Sequence, residues 1–265
     1  MKTDQASIVR DLAAEHAVLD DMVSGLTQEQ WRTPTPAEGW DIRDSVSHLH
    51  YYDGTALLAL HDPEAFARHV DDVLGQRLPE GYDTAAGREL GGQGLYQAWR
   101  VTRAELIDTL SAADATARVP WYGPPMSLIS FCTARLMETW AHGHDVADAL
   151  GIPVVGTDRL RHVCHIGIGA RGYSYLIKSR ENPPVPVRIE LVSPSGETWI
   201  WGPDDAVDRV TGSALDFAEV VTHRRHRSDT GLVVAGPVAR EWLSIAQSFA
   251  GPSGSGRVPL TATGS

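Results

Sequence analysis

The stretch "RLMETWAHGHDVADALG", residues 135–151, carries a glutamate, two histidines and two aspartates in a run that ends in glycine. At 100° per residue, Glu138, His142 and Asp145 share one face of a helix, while His144 lies far round the cylinder. Helical spacing alone favours a solvated face or an i, i+4 hydrogen bond. However, apolar residues between the polar ones leave little of this helix for water, so we expect some polar side chains to point inward.

Composition limits the function classes. The 265 residues are 42% hydrophobic, enough for one large domain or two modest ones. The net charge of −11 disfavours a phosphate backbone or an anionic membrane surface as partner. No leader pattern and no run of roughly 20 apolar residues is present. We therefore expect a cytoplasmic protein, monomer or homodimer, that acts on a small molecule without nucleic acid or membrane.

The organisation along the chain predicts an α+β fold. Helical patterns cover about 9–26, 42–60, 95–113, 127–150 and 158–179. The prolines at 183–184 then mark a boundary, because two adjacent prolines cannot continue a helix. A hairpin at 187–201, a helix at 213–222, a strand at 231–236 and a helix at 238–249 follow. This predicts a helical bundle (1–183), a small α+β module (184–250) and a flexible tail (251–265).

Two polar residues fall on faces that the periodicity predicts to be buried. His16 lies on the apolar stripe of the first helix, and Asp53 lies on the buried face of the second. A buried carboxylate needs a partner, so we expect one for Asp53. The match of "GIGARG" (167–172) to a dinucleotide-binding pattern is discounted, because it lies within a helical pattern and follows no strand.

A metal site is one reading of the 135–151 helix. A glutamate and a histidine at i and i+4 can reach one ion, and a tetrahedral site needs a third protein ligand. With only two cysteines in the chain, that ligand has to be a histidine or a carboxylate. The segment "SHLHYYD" (47–53) offers His48, His50 and Asp53, and periodicity does not choose between the two histidines.

Two segments carry a resemblance to a known family. "WRTPTPAEGWDIRDSVSHL" (31–49) and "ARLMETWAHGHDVADALG" (134–151) closely resemble actinobacterial proteins similar to mycothiol-dependent maleylpyruvate isomerase. The resemblance implies a DinB-like four-helix bundle, and the segment from 188 onward resembles that family's sterol-carrier-like C-terminal module. It also implies a divalent metal, usually zinc, whose ligands fall on His48, Glu138 and His142.

The same resemblance implies three further site residues. Asp145 matches the "H-x-x-D" pattern and is expected to assist catalysis by orienting His142, with a buried hydrogen bond to a neighbouring helix as the alternative. In "THRRHRSD" (222–229), Arg224 matches best an arginine that binds substrate carboxylate, and Arg225 is next. A solvated loop is the alternative for both arginines.

The function implied is thiol chemistry on a small unsaturated carboxylate. A metal-bound thiol such as mycothiol is deprotonated at neutral pH, which suits cis–trans isomerisation or thiol transfer. Two rivals keep the same ligands: a metal-containing binding protein, and an enzyme that uses metal-bound water. His50 and His144 stand near the expected ligands, but the sequence assigns them no role.

Overall fold

The computed structural model describes residues 4–251, 254 and 256–260. The chain divides into two compact units, Met1–Val154 and Val155–Ser265. No helix in the described part of the chain has the length and apolarity needed to cross a membrane.

The first unit is helical. Its elements are α1 (Gln5–Val23), α2 (Ile42–His61), α3 (Pro63–Leu74), α4 (Ala85–Ala112), the short antiparallel pair β1 (Arg118–Val119) and β2 (Met126–Ser127), and α5 (Leu128–Leu150). Side-chain caps set several helix starts. Asp41 and Asp44 form a reciprocal capping box on α2, and Ser127 caps α5. Gly151 ends α5 in the left-handed conformation.

The four helices α1, α2, α4 and α5 form the bundle. α2 packs on α4 and α5, and α1 packs on α5 and α4. The shared core contains Leu19, Val23, Trp31, Ile42, Val46, Leu49, Leu95, Tyr96, Trp99 and Val146. The backbone of Gly92 on α4 approaches Trp31 so closely that an added Cβ would lie 2.1 Å from the indole ring. The expected four-helix bundle is confirmed.

Two features of the first unit differ from the sequence expectation. The helix α3 was not predicted, because its 12 residues carry many charges and bury only Phe66. The helix α4 begins at Ala85 rather than near 95, with one non-helical residue, Gly91, at φ 67° and ψ 169°. The glycines at 87, 91, 92 and 94 concealed a helix in the sequence, since glycine disfavours helix interiors.

The second unit is a small α+β fold. Its elements are α6 (Leu160–Gly169), α7 (Arg171–Ile177), β3 (Val187–Val192), β4 (Thr198–Trp201), β5 (Asp208–Ser213), α8 (Ala214–Val221), β6 (Val233–Ala235) and α9 (Pro237–Ile245). The strand order is β4-β3-β5-β6, with β3 and β5 parallel and the outer pairs antiparallel. The expected hairpin is β3–β4, and the α+β class is confirmed.

The division between units falls at 154/155, whereas the prolines suggested 183/184. α6 packs on α8 and α7 packs on α9, so the helical segment before the prolines belongs with the sheet. A proline pair ends a helix, but packing decides which core the helix joins. The "GIGARG" segment spans the end of α6 and the start of α7, with no strand before it.

One buried carboxylate connects all four bundle helices. Oδ1 of Asp53 on α2 accepts hydrogen bonds from Nε and Nη2 of Arg135 on α5, at 3.2 and 2.8 Å. Oδ2 accepts a hydrogen bond from Nε1 of Trp99 on α4 at 3.3 Å, and Nε2 of His16 on α1 lies 3.9 Å away. Asp53 is fully buried, and Arg135 is 3% exposed. The expectation that Asp53 has a partner is confirmed.

Replacing Asp53 should destabilise the bundle strongly. Asp53→Ala leaves the Arg135 guanidinium buried without its carboxylate, which typically costs about 3–5 kcal/mol. We expect a loss of that size in the free energy of unfolding, measured by urea denaturation. The exposed pair Arg77–Asp72 supplies the control: Arg77→Ala should cost less than about 1 kcal/mol. Similar small losses in both variants would contradict a structural role for the buried pair.

Burial lowers the pKa of His16 to about 4, even though the charge of Asp53 acts in the opposite direction. Between about pH 6.5 and 4, the unfolded chain therefore binds a proton that the folded chain does not, and stability falls as the pH falls.

His16→Leu should remove that pH dependence. From pH 7 to pH 4, the wild type should lose up to about 3 kcal/mol more unfolding free energy than the variant. Urea denaturation across this pH range measures the difference. His165→Leu, at an exposed histidine of α6, is the control and should keep the wild-type slope. A His16→Leu slope equal to the wild type would show that folding does not lower the pKa of His16.

Candidate metal centre

Three potential ligands meet between α2 and α5. The ligand atoms of His48, Glu138 and His142 all lie within 4.8 Å of one another. Nε2 of His142 is 3.6 Å from Oε2 of Glu138, and the two imidazole rings are 4.7 Å apart between centroids. Among the described residues, no other group of three or more His, Cys, Asp or Glu side chains converges in this way. The structure thus brings His48, and not His50, into this group, a choice that periodicity left open.

Each of the two histidines has a carboxylate close to its Nδ1 atom. Nδ1 of His48 lies 2.8 Å from Oδ2 of Asp83, a hydrogen bond. Nδ1 of His142 lies 3.6 Å from Oδ2 of the buried Asp145, which is an ion-pair distance rather than a hydrogen bond. A carboxylate near Nδ1 fixes the orientation of the imidazole ring and directs its Nε2 toward a metal ion. Two imidazoles and one carboxylate suit zinc, so the residues present fit a divalent metal.

The carboxylates of the centre are held in the ionised form. Burial alone would raise the pKa of Glu138, but the close approach of His142 and the charges of His48 and Arg135 lower it to about 2. For Asp83 too, burial opposes ionisation, but the hydrogen bond with His48, the charges of His48 and His142 and a backbone hydrogen bond together lower the pKa. Glu138 therefore offers a full negative charge to a cation at neutral pH.

Aromatic rings surround the histidines. Trp40 stacks on His142 with centroids 5.6 Å apart and also lies 5.2 Å from His48. Tyr52 lies 4.6 Å from His48, and its hydroxyl is 3.5 Å from that of Tyr82. Burial raises the pKa of Tyr52, so its hydroxyl stays neutral. These rings restrict the orientations of the two imidazoles and reduce the access of water to them.

Sequence reasoning missed Asp83, Trp40 and Tyr52. Asp83 and Trp40 lie in connecting segments before α4 and α2, where no periodicity reports burial. Tyr52 lies one turn from His48 on the same helix, at i+4, and that spacing was the available signal.

Four other residues discussed from the sequence lie outside this group. His50 and His144 are outside the convergent group, and Nδ1 of His144 is 3.4 Å from Oδ2 of Asp148. Arg224 and Arg225 belong to the second unit. Arg224 donates to the carbonyl of Thr222 at 2.7 Å, and Nη2 of Arg225 lies 3.4 Å from Oε1 of Glu219. The substrate roles of these two arginines stay predictions.

Comparison with known proteins establishes the family. Residues 12–147 match the family model described as mycothiol maleylpyruvate isomerase N-terminal domain, and residues 183–232 match one described as wyosine base formation. Two uncharacterized proteins of Mycobacterium tuberculosis, from strains CDC 1551 / Oshkosh and ATCC 25618 / H37Rv, are each 45% identical to this chain. The alignments cover 96% of this chain and 99% of each relative. The chain belongs to the mycothiol maleylpyruvate isomerase family.

Solved structures share the fold. The crystal structure of the mycothiol-dependent maleylpyruvate isomerase aligns with a TM-score of 0.60 at 15% identity, over 89% of this chain and 96% of that chain. A variant of that enzyme with one histidine replaced by alanine aligns over the same shares, with a TM-score of 0.56 at 14% identity. At this identity the likeness shows the fold alone.

The centre predicts binding of about one divalent ion per chain. His142→Ala should weaken zinc binding sharply while leaving the helical circular dichroism unchanged. Asp83→Asn should weaken it by about 10–100-fold, because the orienting carboxylate is lost. Competition with a chromogenic chelator measures the affinities, and His50→Ala is the control that should bind as the wild type does. Full metal occupancy in a His48→Ala, His142→Ala double variant would refute the site.

Proposed function

We propose that the protein is a thiol-dependent isomerase or S-transferase that acts on a small unsaturated carboxylate. In this proposal His48, Glu138 and His142 hold a divalent metal ion, zinc, and mycothiol is the cosubstrate. The observation that carries the proposal is the convergence of three metal-ligand types, with a carboxylate behind each histidine, in a chain of the mycothiol maleylpyruvate isomerase family. Three protein ligands leave a fourth tetrahedral position for the cosubstrate.

The metal, when bound, lowers the pKa of a coordinating thiol so that it is a thiolate at neutral pH. The protein's own cysteines are not suited to act as the thiolate nucleophile. Cys132 and Cys164 are both buried, and burial raises the pKa of Cys132 to about 12 and that of Cys164 as well. Because a buried neutral thiol is a poor nucleophile, an external thiol is the better candidate.

The reaction follows from addition to a conjugated double bond. The thiolate sulfur forms a bond to one alkene carbon, and the π electrons move onto the conjugated carbonyl. Rotation about the resulting single bond and return of the electron pair expel the thiolate and give the trans isomer. An S-transferase keeps the new carbon–sulfur bond and takes up a proton instead. Isomerisation therefore returns the thiol, whereas transfer consumes it.

The chain's own residues have distinct parts in this proposal. Asp83 and Asp145 orient the two imidazoles, and the latter is a positioning residue that does not touch substrate. Trp40 and Tyr52 reduce the access of water to the centre, which favours attack by a thiolate over attack by water. Arg224, with Arg225 beside it in sequence, binds the substrate carboxylate, since a guanidinium can donate two parallel hydrogen bonds to it.

Thiol dependence is the decisive test. Zinc-loaded protein should convert a cis-enoyl acid such as maleylpyruvate only when mycothiol is present. Cobalt-substituted protein should show sulfur-to-metal charge-transfer absorption on addition of mycothiol. Turnover that is equally fast without thiol, with no such band, would favour the water-using enzyme. The absence of both turnover and the band would favour the binding protein.

Arg224→Ala should raise the KM for a carboxylate substrate by about tenfold or more, because a charge-assisted hydrogen bond is lost. The zinc content should be unchanged. Steady-state kinetics measure the effect, and Arg240→Ala, at an exposed arginine of α9, is the matched control. If Arg224 lies on a solvated loop, both variants will have the wild-type KM.

A further inference from the structure

Charge is distributed unevenly between the two units. Residues 1–154 contain 11 Lys and Arg against 23 Asp and Glu, whereas residues 155–265 contain 12 against 11. The acidity of the protein therefore resides in the first unit. Within the second unit, cationic residues concentrate in the "HRRHR" segment, 223–227.

A cavity of about 390 Å³ in the second unit brings four cationic side chains together. Lys178 follows α7, Arg225 and Arg227 lie after α8, and Arg257 comes from the C-terminal segment. No aspartate or glutamate is among the described residues that line it. The volume falls within the range of small-molecule sites.

Hydrogen bonds hold the walls of this cavity in place. His223 has a left-handed backbone (φ 61°), rare for a residue other than glycine, and its Nε2 donates to the carbonyl of Ala246 at 2.8 Å. Gln247 donates to the carbonyl of Gly251 at 3.0 Å, and the backbone NH of Leu260 donates to Asp229 at 2.9 Å. Described parts of the segment expected to be a flexible tail, 251–265, thus make specific contacts.

The cavity has an apolar side as well. Val220 of α8 and Leu243 and Ile245 of α9 line it, together with Ser244, whose hydroxyl donates to the carbonyl of Glu241 at 2.6 Å. Nη2 of Arg225 lies 3.4 Å from Oε1 of Glu219. A bound anion would interact favourably with the cationic side chains that line the cavity.

We propose that this cavity is a binding site for a small organic dianion, a phosphate monoester or a dicarboxylate with an apolar body. Guanidinium groups recognise both anions through paired hydrogen bonds, and the apolar side accommodates the hydrocarbon part. Arg224 is not among the lining residues, whereas Arg225, the second candidate for substrate binding, is. The site is therefore tested at Arg227 and Arg257, which have no part in the proposed function.

Calorimetric titration of the full-length, zinc-loaded protein with phenyl phosphate tests the site. We expect saturable binding, and Arg227→Gln and Arg257→Gln should each raise the Kd by about tenfold. Arg240→Gln, which removes an exposed arginine of the same unit outside the cavity, should leave the Kd within about twofold of the wild type. Unchanged circular dichroism and zinc content in the variants separate this test from that of the proposed enzyme.

Further ligands identify the anion and the role of the apolar side. Tighter binding of phenyl phosphate than of phthalate supports a phosphate monoester, and the reverse supports a dicarboxylate. Inorganic phosphate, without an apolar body, and benzoate, with one charge, should both bind more weakly. The proposal is overturned if neither phenyl phosphate nor phthalate binds saturably, if Arg227→Gln and Arg257→Gln bind as the wild type does, or if Arg240→Gln loses as much affinity as they do.

Discussion

The buried ion pair between Asp53 and Arg135 is the contact on which the arrangement of the first unit depends. It joins α2 to α5, the two helices that carry His48, Glu138 and His142. Asp53 lies five residues after His48, and Arg135 three residues before Glu138, so α2 and α5 run antiparallel and the pair sits about one turn from the ligands. A slip of either helix would break the buried pair. The cost of that break holds the two helices in the register that brings the three ligand side chains together.

Helical periodicity predicted which side chains of a single helix share a face and which are buried. It placed Glu138, His142 and Asp145 on one face of α5 and predicted that Asp53 is buried with a partner. It could not name Arg135 as that partner, because a pattern on one helix carries no information about which helix packs against it. For the same reason His48 and His50 were equivalent until the resemblance distinguished them, and Asp83, in a turn, was invisible.

In the second unit, the sequence predicted elements whose pairing is local in the chain and missed elements whose pairing is not. The β3–β4 hairpin was predicted because its turn and both alternating runs are contiguous in the chain. Strand β5, "DRVTGS", was not, since its pairing with β3 is parallel and skips over β4. The sequence also placed the segment of α6 with the first unit, whereas it belongs to the second. Its amphipathic pattern shows that one side is buried, but only the packing on α8 shows which core covers it.

The separation of Asp53 and Arg135 by 82 positions bears on how the bundle folds. Their pairing closes a loop that contains α3 and α4, at an entropic cost of about 4 kcal/mol plus a constant. Neither charge gains by leaving water before its partner arrives, so we expect both to stay hydrated until the other helices have collapsed around them. The ion pair then forms after the transition state of folding. On that basis it acts on the rate of unfolding more than on the rate of folding, and so lengthens the lifetime of the native bundle.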